Sequence, residues 1–208
     1  PLYSDVCDLF IGLGRDSEIL AAPLYRVEKP VVFYGSSVTQ GGCASRPGTC
    51  YQGFLSRWLD FDYINLGFSG NGKAEVNMVE YLAGMKMLAF VSDYDHNAST
   101  VPYLAETHCR MYKMIREKQP DLPYIMLSRP DYQKNRADSI TRREIIFDTY
   151  RYAVANGDKN VYYIDGESFF LGRDENDCTI DNCHPNDYGN LLMADAVECT
   201  LRKILERR

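Results

Sequence analysis

The sequence predicts a doubly wound α/β sandwich: three layers, with helices on both faces of a central five-stranded parallel sheet. Two observations carry this expectation. Five runs of β-branched, aromatic and aliphatic residues are continuous rather than alternating, as in strands buried on both faces. Between them lie stretches whose apolar residues recur at helical spacing, and strand–helix alternation builds parallel sheets. The 208-residue length fits one domain with a possible appendage and allows a sizeable core.

The elements follow in chain order. Residues 1–30 lack helical period and read as a lead-in with one or two short strands, around Leu9-Phe10-Ile11 and Ile19-Leu20, before Pro23 and Pro30. The chain starts at Pro1 without a charged segment followed by an apolar one, so the lead-in reads as what remains after processing or excision from a longer chain. Residues 31–208 read as the working domain. Its expected strands are Val31–Tyr34, Tyr63–Leu66, Met87–Val91, Tyr124–Leu127 and Val161–Ile164. Tyr51, Phe54, Leu55, Trp58 and Leu59 share one helix face, as do Leu104, His108, Met111, Met114 and Ile115. Ile145, Phe147, Thr149, Tyr152 and Ala153 do so more weakly. The last helix starts at the capping pair Asn186-Asp187, and Arg202, Lys203, Arg207 and Arg208 suit its C-terminal dipole.

Composition excludes some functions. Lys and Arg number 23 against 29 Asp and Glu, a net charge of −6, and no basic stripe stands out for nucleic acid. No apolar run is long enough to cross a membrane. Seven cysteines, none in a C-x-x-C pair, argue against a zinc knuckle and leave the compartment open.

Right-handed crossovers put every strand–helix loop at one sheet edge, where such folds bind ligands. Loop one, Gly35 to Gly42, is rich in glycine and hydroxyls; Ser37 either exposes a nucleophilic Oγ or caps the next helix. Loop two, Asn65 to Lys73, allows close backbone approach, for an oxyanion hole or a phosphate cradle. Gly67-x-x-x-x-Gly72-Lys73 matches seven places of a P-loop, but Ala74 stands where magnesium needs Ser or Thr. Loop three, Ser92 to Ala98, offers Asn97 as a donor. Metal binding by Asp93, Asp95 and His96 is disfavoured, because alternate residues of one short loop rarely close a site. The last loop places Asp181 three residues before His184, so the carboxylate can accept from Nδ1 and leave Nε2 to take a hydroxyl proton. His108, on an apolar helix face, reads as packed.

These blocks resemble the SGNH (GDSL-type) esterase family. Gly35-Ser36-Ser37 looks like G-D-S, Asn65 to Gly70 like the glycine block, Asp95-His96-Asn97 like G-x-N-D, and Asp181-Asn182-Cys183-His184 matches D-x-x-H. Ser36 replaces the first block's Asp, Asp95 the third block's Gly, and Ala98 its final Asp. The resemblance implies a flavodoxin-like SGNH hydrolase fold and a triad of Ser37, His184 and Asp181. It also implies an oxyanion hole of Ser37 N–H, Gly70 N–H and Asn97 Nδ2, with no cofactor and no metal. It points to a bacterial subgroup that often carries an upstream β-rich domain and removes acetyl groups from carbohydrates. The expected partner is thus a small-molecule or glycan ester, with Arg129 and Tyr94 as substrate contacts at the active edge. Sixteen tyrosines suit sugars or simply pack. Asp131, Lys134 and Arg136, in a loop spanning 129–140, read as solvated. Two other functions stand beside this one: a P-loop-like nucleotide hydrolase using Gly67 to Lys73, and a non-catalytic glycan-binding module. Cys43 and Cys178 each lie six residues from a catalytic residue, so either a bridge between them pins both loops or both are free thiols. A bridge would favour a periplasmic or secreted location.

Overall fold

The continuous apolar runs become the sheet. The computed structural model describes residues 6–131, 133 and 135–207. The strands are β1 (Val27–Gly35), β2 (Phe61–Gly67), β3 (Ala89–Asp93), β4 (Tyr124–Leu127) and β5 (Val161–Ile164). All pairings are parallel, in the order β2-β1-β3-β4-β5. The helices are α1 (Ser37–Gln40), α2 (Tyr51–Leu59), α3 (Val76–Gly84), α4 (Val101–Lys118), α5 (Arg136–Ala155), α6 (Glu175–Cys178) and α7 (Asp187–Glu206).

Period-two alternation along β1 feeds two cores. Val31 and Phe33 pack with Leu55, Val197 and Leu201, under α2 and α7. Val32 and Tyr34 pack with Leu82, Leu104, Met111 and Ile146, under α3, α4 and α5. Each such side chain contributes about 1.5–3 kcal/mol when fully buried. Four tyrosines, Tyr34, Tyr51, Tyr94 and Tyr124, are among the largest fully buried side chains.

Several expectations need correcting. Residues 6–26 form no strand; Leu9, Phe10, Ile11, Ile19 and Leu20 are exposed and find no sheet to join. The third strand starts at Ala89, two residues late. Residues 136–140 are not loop but the first turns of α5, capped by Asn135. Asp131 is buried at 4% exposure rather than solvated. Lys134 and Arg208, together with Pro1 to Asp5 of the lead-in, lie outside the described residues. No bridge joins Cys43 to Cys178: both are free thiols, and Cys178 is fully buried in the core below α7.

Register sets the functional edge. Gly35 pairs with Gly67 on one side and Asp93 on the other, so β1, β2 and β3 end level. The loops after them then crowd. A Cβ on Gly67 would lie 2.1 Å from the Gln40 nitrogen and 2.5 Å from its Cα. Beneath Ser37, the Thr39 hydroxyl donates to Asp93 Oδ2 at 3.0 Å and Tyr51 donates to the same oxygen at 3.4 Å. Asp93 is almost wholly buried; desolvation pushes its pKa up to about 7, although the nearby His96 opposes this.

Gly67→Ala is expected to cost about 1–3 kcal/mol through overpacking. Thermal melts should then show a Tm loss of roughly 2–4 °C per kcal/mol. Asp93 gives a pH test. Its folded pKa lies above its unfolded value, so between about pH 4 and 7 the fold holds this proton more tightly than the unfolded chain does. Its contribution to stability is therefore full at the acid end and is lost as pH rises toward 7. Melts across that range should show a smaller pH-dependent decline in Asp93→Asn than in wild type.

Candidate active site

Loop one turns at once into α1. The Ser36 hydroxyl caps that helix by accepting from Val38 N–H at 3.1 Å, and Gly41 closes it in the left-handed conformation. Ser37 thus sits on the first residue of a short helix at the sheet edge, with 9% exposure. Thr39 O accepts from Gln52 Nε2 and Asn65 Nδ2, both at 2.8 Å, which ties loop one to α2 and β2.

The last loop lies between α6 and α7. Ile180 N donates to His184 O at 3.0 Å, and Asn186 N donates to Cys178 O at 3.0 Å. Asn182 turns the corner with φ 58°. The Asp181 carboxylate folds back over this turn. Its Oδ1 accepts from the backbone of Cys183 (3.1 Å) and His184 (2.8 Å), and Oδ2 meets His184 Nδ1 at 2.7 Å. Partial burial alone would raise its pKa; these bonds from His184 and Cys183 outweigh it and hold the carboxyl below its usual range. His184 Nε2 then lies 2.8 Å from Ser37 Oγ. A hydroxyl, an imidazole and an orienting carboxylate are joined in one chain, the connectivity that activates a nucleophile.

The other expected site residues divide. Asn97 is nearly buried on a 3-10 turn, and its Nδ2 donates to Phe68 O at 2.7 Å, tying loop three to loop two. The amide's second N–H remains for a further acceptor. Gly70 is exposed on loop two with φ 71°. Tyr94 and Arg129 are both buried and engaged within the protein. Tyr94 is 1% exposed, bonds Thr107 at 2.9 Å and stacks on His108 with ring centroids 5.9 Å apart. His108 is packed as expected; burial lowers its pKa to about 3, and Nδ1 meets the Thr149 hydroxyl at 2.8 Å. Arg129 is buried among carboxylates: Asp95 at 3.3 Å, Asp138 at 3.1 Å and Asp131 at 3.9 Å.

Loop two forms no phosphate cradle. Phe68 N donates to Gly35 O, Asn71 N and Gly72 N donate to Phe68 O, and Ala74 N donates to the Tyr34 hydroxyl. Those N–H groups are spent on the fold, and α3 begins three residues after Lys73.

Sequence reasoning missed two sets of residues. Asp187 holds Ser45 N (2.8 Å) and Thr49 Oγ1 (2.7 Å), which fastens α7 to the segment after Ser37. Asp131 Oδ1 lies 2.6 Å from His96 Nε2. Burial opposes a charged His96, but Asp131 outweighs it and the pKa rises well above its ordinary value; His96 in turn holds Asp131 low. The one available signal was the high polarity of loop three. A shallow cleft of about 570 Å3, lined by residues such as Tyr112, Arg116 and Asp158, lies at the opposite, N-terminal edge of β4 and β5, away from this site.

Comparisons with known proteins agree with the fold. The sequence profile of the GDSL-like lipase/acylhydrolase family matches residues 28–202. A protein of Bacteroides ovatus described as a GDSL-like lipase is 32% identical, with TM-score 0.76 over 86% of this chain and 54% of its own. The salicylyl-acyltransferase SsfX3 of a tetracycline biosynthetic pathway is 19% identical, with TM-score 0.74 over 88% of this chain and 57% of its own. A two-domain esterase active on acetylated mannans is 21% identical, with TM-score 0.68 over 86% of this chain and 50% of its own. The last two likenesses bear on the fold alone. The chain spans about half the length of these solved structures. No curated protein gives a significant match. Profile, fold and level strand ends converge: the chain belongs to the GDSL-like lipase/acylhydrolase family.

Proposed function

We propose that the protein is a serine ester hydrolase that removes short acyl groups, acetyl foremost, from a carbohydrate. The observation that carries this reading is the unbroken chain Ser37–His184–Asp181. Asp181 fixes the imidazole tautomer with Nδ1 protonated, so Nε2 accepts the Ser37 proton as Oγ attacks the acyl carbon. The carbonyl oxygen becomes an oxyanion. Ser37 N–H at the start of α1, Gly70 N–H and the second N–H of Asn97 are its assigned donors. His184 returns the proton to the leaving alcohol. Water, deprotonated by the same Nε2, then resolves the acyl-enzyme.

Two observations support the sugar preference. A structural neighbour acts on acetylated mannans, and the 27% side-chain exposure of His184 leaves room for a bulky, polar alcohol. Because another neighbour is an acyltransferase, hydrolysis and transfer should be compared by adding sugar acceptors to the assay.

Labelling with a fluorophosphonate followed by peptide mapping should place the adduct on Ser37 and lose it in His184→Ala. An adduct on Ser69 would move the nucleophile to loop two. No adduct on folded protein would overturn hydrolysis and favour a non-catalytic glycan-binding module. With an aryl acetate, Asn97→Ala should lower kcat about 10²–10³-fold through loss of one oxyanion donor. Asp181→Asn should lower it by roughly 10⁴-fold through the wrong tautomer.

A further inference from the structure

Beside the triad lies a second cluster that the hydrolytic chemistry does not use. His96 comes from the 3-10 turn after β3, Asp131 from the segment after β4, and Cys183 from the loop that carries His184. One ligand-type atom from each lies within 4.8 Å of the others. We propose that His96, Asp131 and Cys183 form a binding site for a borderline-soft divalent cation such as zinc, with structural rather than catalytic work to do.

The donor set fits that chemistry. One imidazole, one carboxylate and one thiolate are standard zinc ligands, with bonds of about 2.0–2.3 Å, and water can fill a fourth place. Ligand atoms around such an ion stand roughly 3.3–3.8 Å apart. His96 Nε2 and Asp131 Oδ1, now 2.6 Å apart across a proton, need to separate by only about 1 Å when the ion replaces that proton. The three residues come from three separate loops, so the site escapes the geometric objection to Asp93, Asp95 and His96 alone.

A second, independent observation points the same way. The His96 side chain is 9% exposed, and among the described residues its Nδ1 has no hydrogen-bond partner. That nitrogen faces Asp95 Oδ1 at 3.5 Å. An imidazole bound to metal through Nε2 carries its proton on Nδ1 and donates it to a carboxylate. Asp95 is placed to receive it and is itself fixed by the backbone and guanidinium of Arg129, at 3.2 and 3.3 Å. Charge favours a cation too: the carboxylates of Asp95, Asp131 and Asp138 outnumber the guanidinium groups of Arg129 and Arg142 by one. Bound metal would pin the turn after β3 and the segment after β4 to the loop holding His184.

The test needs no substrate. Full-length protein is stripped with a chelator, kept reduced and titrated with zinc against a chromophoric competitor. Wild type should take up about one zinc per chain. Cys183→Ser and His96→Gln should each weaken binding by at least 10–100-fold. Cobalt should give wild type a thiolate charge-transfer band that Cys183→Ser lacks. Zinc should raise the wild-type Tm and leave that of both variants unmoved. If wild type binds no zinc, or if both folded variants bind it as wild type does, the proposal is overturned. Should one variant fail to fold, the other together with the wild-type cobalt spectrum decides. A failed Ser37 labelling experiment would leave this result untouched.

Discussion

Everything at the working edge depends on backbones that approach more closely than side chains normally allow. Gly35 ends β1 where a Cβ would meet Asp93 O at 2.1 Å, and Gly67 ends β2 against the backbone of Gln40. These contacts stack loops one, two and three directly on each other. Gly72 of loop two then lies directly against Gly35 O and the Asn97 amide. Parallel strand pairing supplies the level ends, and glycine supplies the clearance. Neither alone would bring the three loops together.

The polar groups beneath these loops continue the same logic. Thr39 donates to Asp93, while its own carbonyl accepts from Gln52 and Asn65. The Tyr51 amide reaches Asn190 at 3.0 Å, and Asp187 grips Ser45 and Thr49. Buried polar groups of this kind stabilise only when satisfied, and satisfied they fix one arrangement. They explain how short exposed turns hold a hydroxyl and an imidazole at hydrogen-bond distance. The fastening is distributed over α2, β2 and α7 rather than vested in the triad.

What was legible in the sequence followed from locality. β4 and β5 match their apolar runs residue for residue, because a short continuous apolar run marks a parallel strand, wholly buried in β4 and largely half-buried in the edge strand β5. The contact between Asp181 and His184 was legible because a three-residue turn closes on itself, and the place of Ser37 at the sheet edge because it follows a strand directly. The helix α3 escaped notice: it is short, follows a glycine-rich loop and buries only Val79, Leu82 and Ala83. Tyr94 packs in the core, because the residue after a strand can point down as readily as out over the edge. Asp131 was read as solvated because its partner His96 lies 35 positions away, and no spacing rule spans that gap. The lead-in went astray because apolar residues make a strand only where another strand accepts them.

Ser37 and His184 stand 147 positions apart in the chain, yet they meet at 2.8 Å. Closing so long a loop costs entropy that local contacts cannot repay. The distance between these two side chains is therefore set by the docking of α7 on the finished sheet, the step that brings the two halves of the chain together. A partly folded chain, however rich in helix, holds its hydroxyl and its imidazole in different places. Acyl chemistry at this edge would thus be a reporter of complete folding. A chain severed at the exposed turn around Gly157 would regain it only when its two pieces find each other again.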